Sequence, residues 1–180
     1  MSGRDESRES EPVSVRAEIE ELRVRLESAE AVLSILALKA EYGDLVDRRF
    51  SMGRVIDKPA LDDLVEEIAG LFTEDATWDG GPVLGVARGR AEIAERLARP
   101  TLVFSRHLFT KPRIRALPPK ASARWDLLCP CKTPDGRSWW MCGYEDDEYR
   151  VDHGVWRHST MKLTTVFMSP AGEGFDRLQV

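Results

Sequence analysis

Near residue 105 the spacing of apolar residues changes period, and that change restricts the chain to few architectures. Upstream, Leu61, Leu64, Val65, Ile68, Leu71 and Phe72 recur at the intervals of one helix face. Downstream of Arg106 the pattern alternates in runs separated by turn residues. Pro118-Pro119 breaks the first two runs, Pro134-Asp-Gly136 opens a third and Asp152-His-Gly154 turns into a fourth. Helices followed by a meander of long strands make an α+β fold with an antiparallel sheet. The expected helices are Arg16–Arg49, Leu61–Leu71 and Arg90–Leu97. The expected strands are a short one at Ala76–Trp78 and long ones at 106–115, 121–128, 138–151 and 155–167.

Residues 1–15 are Ser, Glu, Arg and Asp with one Pro, too polar to bury a core, and read as a disordered tail before a domain over 16–180. From Arg16, Ile19, Leu22, Leu26, Ala29, Leu33 and Leu36 form an apolar seam at heptad spacing. A second stripe of Val32, Ile35, Leu38, Tyr42 and Leu45 or Val46 joins it. Such a helix projects at its start and is buried at its end. Its seam either packs on its own domain or pairs chains as a coiled coil.

Length and charge narrow the functional classes. A chain of 180 residues suits one domain, and 42% apolar with 32% charged residues is a soluble globular balance. The formal charge of −5 argues against nucleic acid as a partner. No run is long enough to span a bilayer, and no apolar segment opens the chain as a secretion signal would. Three cysteines fit reduced thiols, so the expected location is the cytoplasm. The Cys129-Pro-Cys131 pair with Cys142 lacks zinc spacing, with only His153 and His158 at hand to complete a site. The glycines at 80, 81, 85 and 89 lack the context of a phosphate loop or dinucleotide site. No metal and no cofactor is expected.

Three features carry possible chemistry. Asp47 falls in register with Leu36, Ala40 and Gly43, where the stripe calls for burial; it is either a solvated helix end or a buried group needing a partner. His107 stands in an apolar and basic strand, as a core histidine or a proton-transfer group. The strand Trp140–Arg150 carries Glu-Asp-Asp-Glu between aromatics. It is either a charged edge or a pocket wall with Tyr144, Asp146 and Arg150 pointing inward and Asp126 on the neighbouring strand.

Four stretches in order, Leu38–Arg49, Leu71–Asp79, Arg106–Ile114 and Tyr144–Trp156, resemble the SnoaL-like family of the nuclear-transport-factor-2-like superfamily. Scytalone dehydratase, hexachlorocyclohexane dehydrochlorinase and bile-acid 7α-dehydratase are of this type. The resemblance implies a cystatin-like cone, with N-terminal helices packed on a curved antiparallel sheet around a deep apolar pocket. It also implies that Asp47 and His107 form a base dyad, with Tyr42 and Arg150 beside it as catalytic groups. Asp126, Tyr144, Asp146, Trp78, Leu108 and Trp140 are then the expected substrate contacts. The function so implied is a cofactor-independent lyase or isomerase acting on a hydrophobic cyclic small molecule, in a homo-oligomer (dimer or trimer). The alternatives are a ligand-binding or assembly protein, or the small-subunit partner of a ring-hydroxylating oxygenase. The chain departs from the family pattern in its longer N-terminal helix, Lys111, the extra His153 and the Cys-Pro-Cys insertion.

Overall fold

The computed structural model describes residues 15–172; the expected tail over 1–15 lies almost wholly outside the described residues. The first helix, α1 (Val15–Arg48), runs into a small hairpin of β1 (Phe50–Ser51) and β2 (Arg54–Val55). In α2 (Lys58–Gly70) the Asp57 side chain accepts from the Ala60 N–H and Pro59 occupies the first turn, which starts the helix ahead of its apolar face. Next come β3 (Phe72–Asp79), the single turn α3 (Gly81–Leu84), β4 (Val86–Arg88) and α4 (Gly89–Leu97). The remainder is strand: β5 (Phe104–Ser105), β6 (Leu108–Leu117), β7 (Lys120–Lys132), β8 (Ser138–Asp152) and β9 (Val155–Pro170).

The sheet order is β4-β3-β9-β8-β7-β5, with β6 also paired to β7. The late strands β6 to β9 form the antiparallel meander that the alternation predicts. The pairing of β3 with β9 is parallel, so the whole sheet is mixed. This strand is longer than the expected Ala76–Trp78, because Phe72, placed on the helix face by spacing, and the residues after it already belong to it. Likewise β7 continues through Cys129-Pro-Cys131, so the insertion is strand and not a loop.

The sheet curls into a half-barrel over the helices, and bulges interrupt its register. On β9 the register skips Ser159 and Val166; on β6 one extra residue is absorbed between Thr110 and Arg113, where Lys111 has φ 47°. Gly143 faces the bulge at Val166, and a Cβ there would run into the Thr164 carbonyl oxygen. The core sits inside the curl. The end of α1 packs with α2, α4 and β3 through Val46, Ile68, Phe72 and Ile93; its middle packs on the sheet through Ile35, Leu38, Ala123 and Trp125. Among the described residues no helix is long and apolar enough to cross a membrane.

Candidate active site

Asp47 lies in the last turn of α1, where the negative end of the helix dipole opposes a carboxylate, and it is 8% exposed. Its burial is offset by donors from the segment joining β5 to β6. Ser105 Oγ donates to Oδ1 at 3.1 Å, the His107 backbone N–H donates to Oδ2 at 2.8 Å, and His107 Nδ1 lies 2.7 Å from Oδ1. The Arg106 guanidinium adds a longer ion pair at 3.8 Å. Three consecutive residues thus wrap one carboxylate. The spacing predicts one strand over 106–115, but the chain breaks at Arg106-His107, and that break lets backbone and ring of His107 reach Asp47 together. His107 Nε2 makes no hydrogen bond among the described residues, while the ring stacks on Phe109 with centroids 5.9 Å apart.

Tyr42, one and a half turns before Asp47, is buried and accepts a hydrogen bond from Trp78 Nε1 at 3.4 Å. Burial above all, and the nearby Glu145 charge, push its hydroxyl pKa well up, so it stays a protonated donor. Its ring sits 6.3 Å from that of Phe109. Asp47, His107, Tyr42, Trp78 and Phe109 therefore occupy one region inside the curl.

The other expected contacts fall on the opposite side of the sheet. Arg150 donates to Asp75 at the surface, Asp146 pairs with Arg124 at 2.6 Å, and Arg124 covers the Tyr144 ring at 4.4 Å. Asp126 pairs with exposed Lys111 at 2.9 Å. Leu108 is exposed, and Trp140 shares the outer face with Tyr144 and Asp146. These are corrections with one cause. A strand shows alternate residues to its two faces, and the inward set on β8 is Trp139, Met141, Gly143, Glu145, Asp147 and Tyr149. Phe109 takes the inward place on β6 in the same way. Phe109 also packs against the cluster of Leu127, Cys129 and Cys131, which brings these side chains close to the dyad. The hollow between α2 and α4 and the one outside the sheet both lie away from the dyad.

The inward phase brings together a second group. Lys39, 1% exposed, forms ion pairs with Glu145 and with Asp147, the latter at 2.7 Å. Tyr149 Oη donates to Asp147 at 2.8 Å and accepts from Trp125 Nε1 at 3.0 Å. His158, fully buried, packs on Tyr149, Phe72 and Tyr42. Burial opposes the Lys39 charge, but the two carboxylates outweigh it and raise its pKa. Burial, augmented by Glu145 and opposed by Lys39, pushes Asp147 up to about 6. Burial, then the Lys39 charge, holds the His158 imidazole well below its ordinary value, and it stays neutral. The Lys39 ammonium lies 4.1 Å over the Phe109 ring, whose stack on His107 links the two groups. The signal that could have found Lys39 is the one that singled out Asp47: a charge in the apolar stripe, between Ile35 and Tyr42.

A family model for the SnoaL-like domain matches residues 27–162. The chain belongs to that family. Known structures share the fold. The hexachlorocyclohexane dehydrochlorinase LinA-type3 of Novosphingobium barchaimii LL02 superimposes with a TM-score of 0.68 at 18% identity, over 83% of this chain and 95% of that one. A scytalone dehydratase candidate from Novosphingobium aromaticivorans DSM 12444 gives 0.64 at 19% identity, over 78% and 87%. A single-residue variant of Rv3472, a Mycobacterium tuberculosis protein of unknown function, gives 0.61 at 25% identity, over 77% and 73%. No curated protein sequence matches the chain. The three cysteines of this SnoaL-like domain do not converge, since Cys129 and Cys131 face inward and Cys142 lies on the outer face.

Proposed function

We propose that this SnoaL-like domain is a lyase or isomerase that removes a carbon-bound proton from a hydrophobic cyclic small molecule. The observation that carries this reading is the Asp47–His107 pair, a buried carboxylate held against one imidazole nitrogen with the other unbonded. Asp47 fixes the proton on Nδ1 and stabilises the imidazolium that forms, leaving the Nε2 lone pair to act as base. In an elimination the proton passes to Nε2, its bonding pair becomes the new double bond, and the leaving group departs with its own pair. The Tyr42 hydroxyl, kept protonated by burial, is the donor placed to hydrogen-bond the departing group or a developing enolate. Arg150, bound to Asp75 outside the sheet, takes no part. The dehydrochlorinase among the structural relatives supports elimination as the first reaction to test.

The experiment is proton loss from carbon, followed by NMR in D2O on a panel of cyclic ketones and halogenated cyclohexanes. Turnover of at least one compound is expected, reduced about 10²-fold or more in His107→Ala and in Asp47→Asn with circular dichroism unchanged. Full activity in His107→Ala would contradict the reading by placing the base elsewhere, and no proton loss from any compound in the parent would leave the domain a ligand-binding protein.

A further inference from the structure

The first half of α1 projects beyond the domain with an apolar seam that stays exposed among the described residues. Val15, Ile19, Leu22, Leu26 and Leu33 are 58–69% exposed, Leu36 is 36% exposed, and Ala29 between them is exposed as well. Their spacing is an unbroken alternation of four and three, that of a two-stranded coiled coil. At about 100° per residue, the stripe that α1 packs on its own domain, Ala31, Ile35, Leu38 and Tyr42, lies about 180° around the helix from this seam. The two faces serve different partners. The domain covers one, and a second helix can lie along the other, past Leu33 and Leu36, without meeting the domain.

The flanking charges identify that helix. With Ile19, Leu26 and Leu33 at a and Val15, Leu22, Ala29 and Leu36 at d, the g positions are Glu18, Arg25 and Val32. The e positions are Arg16, Arg23, Glu30 and Ala37. In a parallel, in-register pair each g faces the e′ five residues further on. Glu18 then meets Arg23 of the second copy, Arg25 meets Glu30, and Val32 meets Ala37. Both charged pairs are attractive, both occur twice by symmetry, and the position nearest the domain is apolar on both sides. An antiparallel pair would set e against e′, where two arginines have a single glutamate between them. Arg23 and Arg25 already form ion pairs along their own helix with Glu27 and Glu21, which holds them beside the seam.

We propose that residues 15–36 form a parallel two-stranded coiled coil with a second copy of this chain, the two domains lying back to back on its outer sides. The seam is about 32 Å long, roughly three heptads, and pairing covers apolar side chains that the domain leaves in water.

Sedimentation equilibrium of the full chain at micromolar concentration tests this, beside Leu22→Glu/Leu26→Glu, which places like charges in the seam at two exposed positions away from the domain. The parent is expected to have twice the mass of the variant, with both giving the same near-ultraviolet circular dichroism. Ala29→Cys, at a d position facing its own copy, is expected to form a disulfide-linked dimer under an oxidant that leaves the parent unlinked. A monomeric parent, or a variant that keeps the parent's mass, overturns the proposal. A parent that dissociates with the charged variant but is not linked through position 29 overturns the parallel register.

Discussion

Two carboxylates inside this protein face opposite problems. Asp47 has three donors and one task, to hold an imidazole. Asp147 shares one ammonium with Glu145 and is pushed up to about 6, chiefly by burial. Because its folded pKa lies above its unfolded one, near 3.9, folding favours its protonated form. That contribution is complete below about pH 4 and is lost as pH rises to about 6. His158 works in the other sense. Its folded pKa is depressed, so its contribution is present above about 6.5 and is lost as pH falls. Asp147→Asn, which keeps an oxygen for Lys39, is expected to remove the loss between pH 4 and 6, read by urea denaturation at several pH values. An unchanged pH profile would show that Asp147 does not titrate in that window.

Alternation along the strands decides which residues meet at the site, and here the sequence was legible only in part. The change of period placed the main helices and the late strands, and the stripe on α1 singled out Asp47 without deciding between a solvated helix end and a buried group. The inward face of β8 was not legible, because Glu145, Asp146, Asp147 and Glu148 make both faces acidic and aromatics flank each. Burial alone separates them: Glu145 and Asp147 reach Lys39, while Asp146 reaches Arg124. Register is in turn set by bulges, which local spacing does not reveal. Gly143 is the residue that permits one of them, and Gly143→Ala is expected to cost about 1–3 kcal/mol by forcing the β8–β9 backbones apart. Thermal unfolding of the variant measures this; an unchanged midpoint would mean that the pairing at Thr164 relaxes freely.

At the scale of the molecule one long helix connects three functions. Its last turn supplies Asp47, its middle supplies Lys39 and the packing of the domain on the sheet, and its projecting start carries the exposed apolar seam proposed to pair with a second copy. The carboxylate stays buried because the curled sheet closes over the helix end and presents Ser105, Arg106 and His107 to it. The proposed chemistry therefore depends on the state of one imidazole. With three histidines in the chain, the ring nitrogens of His107 can be assigned by ¹⁵N NMR at mildly alkaline pH, without any substrate. The expected result is a single tautomer with the proton on Nδ1 and a pyridine-like Nε2, lost to a tautomer mixture in Asp47→Asn. A proton fixed on Nε2, or a ring whose tautomers are unchanged by Asp47→Asn, would contradict it.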